Sequence, residues 1–152
     1  MEKIETISVA VEHHGRDAVA SCDSSPCSVP TGNLTPLLHE IRHALARWLE
    51  NGQTHIIDLR TLPMSPGEEQ RLLDILGRGE IDAALSALGD SEILETAYSG
   101  VWLVTHHNDS GDLIGRYIEV CEIPEILKSQ SEDAGLALQR LDELLSNAEV
   151  IE

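Results

Sequence analysis

With 152 residues the chain has the length of one domain, and a hydrophobic share of 41% is enough for a packed core. Its formal net charge of −17, from 27 acidic and 10 basic residues, argues against a phosphate backbone as partner, because that affinity comes from Lys and Arg. No apolar run is long enough to span a bilayer, no secretory h-region is visible at the N-terminus, and three cysteines (Cys22, Cys27 and Cys121) do not make a disulfide framework. A cytoplasmic protein is therefore expected, with no nucleic-acid partner and no membrane insertion. Such a charge provides solubility through self-repulsion and also attracts a cationic partner, such as a basic peptide segment.

In chain order, KIETISVAV (3–11) reads as a short strand and the polar stretch from His13 to Asn33 as a long flexible loop. The first helix follows, with Thr35 as N-cap, Pro36 at the first helical position and Gly52 as the stop. Its apolar stripe is Leu37, Leu38, Ile41, Leu45, Trp48 and Leu49. A brief extended element lies around Ile56 and Ile57. Ser65 then opens a second helix with a capping box to Glu68, an inward face of Leu72, Leu73 and Leu76, and an end at Gly77. The segment EIDAALSAL (80–88) fits strand or helix; alternation of Ile81, Ala83 and Leu85 favours a strand.

Strands are predicted near 92–98, 100–107 and 113–121, with a turn from Asn108 to Asp112. Helix signals resume at Pro124, and Ser131 caps a last amphipathic helix with Leu138, Leu141, Leu144 and Leu145. The fold class that follows is α+β, an antiparallel sheet of about four strands packed against amphipathic helices on one face. Three parts are expected: an N-terminal strand and loop (1–32), a main domain (33–130), and a C-terminal helix (131–152) packing on that domain.

HEIRH (39–43) matches the H-E-x-x-H pattern of zinc hydrolases, in which His39 and His43 would bind the metal and Glu40 would act as base. Against it stand the missing third ligand and Arg42, a cation between the two histidines. A solvated helix face is the preferred reading, with a zinc-dependent hydrolase as the alternative. Cys22 and Cys27, with His13 and His14 upstream, lack the spacing of a structural zinc site. His106 and His107 are successive strand residues and point to opposite faces, so they do not share one metal. Cys121 reads as a small buried residue. No phosphate-binding loop and no G-x-S-x-G element are present. The expectation is a non-enzyme with no cofactor.

Six segments follow one another in order: LLHEIRHAL (37–45), IDLRTLPMSP (57–66), GRGEIDAAL (77–85), Glu95-Thr96, GVWLVTHHN (100–108) and YIEVCEIPEIL (117–127). Over roughly 33–130 the chain thereby resembles the HupH/HyaF family of hydrogenase expression/formation proteins, whose typical members are longer and include a further N-terminal part. The resemblance implies an accessory chaperone or scaffold in nickel–iron hydrogenase maturation, acting on the iron–sulfur small subunit before its export with a twin-arginine signal. It implies the hydrogenase small subunit or other maturation proteins as partners. On that reading Trp102, His106 and Tyr117 form a docking face, because aromatics are favoured at interface hot spots. Glu95 and Glu119 are candidates to pair with a basic peptide, the alternative being ordinary solvated strand residues. The alternative for Trp102 is the core, since a half-buried strand offers both faces. A free sheet edge is a third route, pairing two copies as a homodimer.

Overall fold

The structure is a computed structural model that describes residues 30–86 and 89–147. The sequence yields helix α1 (Leu34–Asn51), strand β1 (His55–Asp58), helix α2 (Pro66–Leu76), strands β2 (Asp82–Ser86), β3 (Asp90–Glu95), β4 (Val101–His107) and β5 (Leu113–Val120), and helix α3 (Ser131–Ser146). Short 3-10 turns occupy Leu59–Thr61 and Glu125–Leu127. All pairings are antiparallel, in the order β1-β5-β4-β3-β2. The α+β expectation holds, with five strands rather than about four. The extra strand is β1, whose four residues are too few for alternation to show. The ambiguous segment resolves as β2, where Ala83 pairs with Ile93. The predicted N-terminal strand and loop, with Cys22 and Cys27, lie outside the described residues apart from the last few positions of the loop.

Two apolar clusters sit on opposite faces of the sheet. On the first face, Ile57, Val101, Ile118 and Val120 meet Leu37, Ile41 and Ala44 of α1 and Leu72 and Leu76 of α2. Each fully buried Leu or Ile there contributes about 1.5–3 kcal/mol relative to exposure. The second face holds Ile93, Trp102 and Val104 with Cys121, and Ala83, Tyr117 and Leu127 pack against them. Alternation along β4 divides the clusters: Val101 and Leu103 go one way, Trp102 and Val104 the other.

The helix ends follow the sequence signals with two corrections at N-caps, one in α1 and one in α3, where Gln130 rather than Ser131 takes the cap position without a side-chain hydrogen bond. Residue Asn33, not Thr35, occupies the N-cap of α1, without a side-chain cap hydrogen bond. Pro36 is tolerated within the first turn because N–H groups there have no intrahelical partner. Gly52 closes α1 at φ 72°, as its lack of Cβ permits. Leu49 is 73% exposed: the buried line Leu37, Ile41, Ala44 runs at helical spacing, and Leu49 falls to one side of it. In α2 the capping box of Ser65 and Glu68 forms as predicted.

The third helix departs from expectation. It buries none of its side chains, and Leu136, Leu138, Leu141, Leu144 and Leu145 are 52% to 67% exposed. The expected packing of 131–152 on the main domain is absent for the described part of that segment. No described helix is long and apolar enough to cross a membrane.

Candidate functional site

The register of β3, β4 and β5 brings all five predicted docking residues to the second face. Trp102 is opposite Glu95 on β3 and Glu119 on β5, and Glu119 is opposite Ile56 on β1, so these four form one row. In the next row Tyr117 lies between Asp58 and Val104. His106 is opposite Ser91 and Gly115, and its Nδ1 shares a 2.8 Å hydrogen bond with the Ser91 hydroxyl.

Tyr117 leans along its strand over Gly115, where an added Cβ would come within 2.7 Å of the ring. That lean places the Tyr117 and His106 rings 5.7 Å apart at 59°, a tilted contact. Gly115 is thus needed for the absence of a side chain under the ring. His106, Tyr117, Glu95 and Glu119 are half-buried. Ile56 is 61% exposed at the end of the Trp102 row, and Ile81 and Leu85 leave further apolar surface along the β2 side. Sequence reasoning missed Ile56 and Ser91. Both neighbours in HIID are apolar, so alternation could not say which of Ile56 and Ile57 points inward.

Trp102 is the exception among the five. It is 3% exposed, and its indole Nε1 donates to the Cys121 carbonyl at 3.2 Å. The expectation that it presents an outer docking surface is corrected: Trp102 is core. A flat indole with its one donor satisfied fills the space between Ile93, Val104 and the chain at Cys121. It supports the face from beneath.

Burial pushes the Glu119 carboxyl above its usual range, partly opposed by His106 and reinforced by Glu125. Burial also pushes the Cys121 thiol up to about 11, with Glu119 adding to the effect. A thiol at that value stays protonated at neutral pH and is a poor nucleophile.

The HEIRH residues lie elsewhere. His39, Glu40 and His43 are exposed on α1, with the two imidazole centroids 6.4 Å apart. Glu40 Oε1 is engaged 3.1 Å from Nε2 of His55 on β1. Among the described residues no group of three or more His, Cys, Asp or Glu is placed to hold a metal ion.

Fold and face together define an α+β protein in which one sheet face carries α1 and α2 and the other offers a half-buried, acidic and apolar surface. The chain belongs to the family described as HupH hydrogenase expression protein, C-terminal conserved region, whose model matches residues 32–148. A hydrogenase expression/formation protein HupH of Rhizobium leguminosarum bv. viciae is 29% identical over 131 residues, which is 86% of this chain and 46% of that protein. A hydrogenase-1 operon protein HyaF of Escherichia coli K12 is 33% identical over 113 residues, 74% of this chain and 39% of that one. A solved hydrogenase expression protein HupH from Thiobacillus denitrificans superposes with a TM-score of 0.75 at 38% identity, covering 78% of this chain and 99% of that one. The chain spans less than half the length of these two curated relatives.

Proposed function

We propose that this protein is an accessory chaperone or scaffold in nickel–iron hydrogenase maturation, and that its second sheet face docks the precursor of the iron–sulfur small subunit. The family, and relatives named as hydrogenase expression/formation and hydrogenase operon proteins, support the process. One observation carries the choice of surface: Glu95 and Glu119 flank the buried Trp102 in a row that ends on the exposed Ile56, with His106 and Tyr117 alongside. Apolar anchors rimmed by carboxylates suit a partner segment of alternating apolar and basic residues. The role is non-catalytic: the face binds and shields, and Cys121, its one thiol among the described residues, is buried and protonated.

Capture of purified small-subunit precursor by the full chain tests the surface. Tyr117→Ala and Ile56→Glu are expected to weaken capture by about 2 kcal/mol, roughly thirtyfold in Kd, with the melting temperature unchanged for the exposed Ile56 and lowered for Tyr117, which packs on the second cluster. Undiminished capture by both variants removes this face from the reading.

A further inference from the structure

The first face of the sheet ends in an apolar groove of about 360 Å³, lined by Leu38, Ile41, Arg42 and Leu45 of α1, Ile75 of α2, and Tyr98. One turn beyond Leu45, the exposed Leu49 continues the same line along α1. The chain also carries a helix with a matching surface and no seat. On α3, Ala134, Leu138, Leu141 and Leu145 recur at four, three and four residues, a single apolar stripe at helix-packing spacing. With 16 residues α3 is about 24 Å long, and α1 with 18 is about 27 Å, so the two can lie side by side over most of their length.

Charge selects between the surfaces this stripe could cover. The charged side chains of α3 are Glu132, Asp133, Asp142 and Glu143 against Arg140, so α3 against α3 sets like charges together. The groove has the opposite sign at its edge. Arg42 lines it, Arg71 lies one turn before Ile75 on α2, and neither makes an ion pair among the described residues. The placement of α3 selects between copies. Leu127, the last anchored side chain before α3, packs on the second face, whereas the groove lies on the first. In this structure α3 leaves its own groove uncovered.

We propose that the groove between α1 and α2 receives α3 of a second copy of this chain, and that two copies exchange these helices reciprocally. The exchange is self-complementary, as a two-fold interface requires: each chain gives one helix and receives one, so two contacts close the dimer. It also removes both exposed leucine-rich surfaces at once, the stripe and the groove.

Sedimentation equilibrium of the full chain tests it, with melting temperature by circular dichroism as the control for folding. The wild-type chain is expected to be a dimer. Leu138→Glu with Leu141→Glu on the stripe, Ile75→Glu in the groove, and Arg42→Glu at its edge are each expected to weaken it by at least about tenfold. The stripe variant keeps a cooperative melting transition, because among the described residues α3 buries none of its side chains. Arg42 is exposed, so its variant keeps the groove test independent of any folding defect in Ile75→Glu. A monomeric wild-type chain overturns the proposal. So does a dimer that needs the α3 leucines but tolerates both groove substitutions, which would mean α3 pairing with α3.

Discussion

Trp102 shows how far a single side chain can be read from its neighbours. GVW in an alternating strand places Val101 and Trp102 on opposite faces, and both faces turn out to be filled. Trp102→Ala is therefore expected to cost about 3–5 kcal/mol of stability through the cavity it leaves, seen as a large fall in melting temperature. Glu119 makes a second prediction at this scale. Its folded pKa is raised, so the ionised carboxylate opposes folding. The cost is absent below the ordinary carboxylate value of 4.5, where both states are protonated, and grows as pH rises through 4.5 toward the raised folded value. Glu119→Gln is expected to melt slightly higher than wild type at pH 7 and level with it at about pH 3, below the ordinary carboxylate range. A variant that melts lower at pH 7 would assign Glu119 a structural partner instead.

At the scale of elements, Glu68 ties the start of α2 to the chain ahead of α1. Its carboxylate accepts from the backbone N–H groups of Thr31, Gly32 and Ser65 at 3.0, 2.8 and 3.0 Å, and from the Thr31 and Ser65 hydroxyls. The capping half of this arrangement was legible, because Ser65 and Glu68 have capping-box spacing. The other half was not. No local pattern tells a capping Glu that Thr31 and Gly32, 37 and 36 residues away, will share it. These bonds, the one from Ser65 first and then Thr31, hold the Glu68 pKa down at about 2. A lowered folded pKa stabilises above the unfolded value of 4.5, and that contribution is lost as pH falls from 4.5 toward about 2. Glu68→Gln is expected to lower the melting temperature at pH 7, and the gap should narrow steadily over that acid window. A gap independent of pH would show that the carboxylate's charge is not what matters.

For the whole molecule, the charge of −17 sets how partners approach. Screening lengths shrink from about 10 Å at 0.1 M salt to about 3 Å at 1 M, so capture of a basic precursor segment by the acidic face should fall steeply over that range. Stopped-flow association rates should carry most of the change, since steering acts on encounter. Rates that ignore salt would leave apolar contact as the sole basis of docking.

Period and punctuation were enough for the elements. Gly52 ends α1, Ser65 opens α2, and Asn108 closes the β4–β5 turn by accepting from the Ser110 and Asp112 N–H groups. These are local matters of φ, capping and alternation, and the sequence by itself determined them, together with the family to which the ordered segments belong. Facing is different, because it depends on what another part of the chain supplies. Ile56 and Ile57 read alike, yet register with β5 buries one and exposes the other. The stripe of α3 reads like the stripe of α1, yet α1 finds a sheet beneath it and α3 finds no cover among the described residues. An amphipathic pattern states that a face will be covered where a cover is available; only the tertiary structure decided which faces had one.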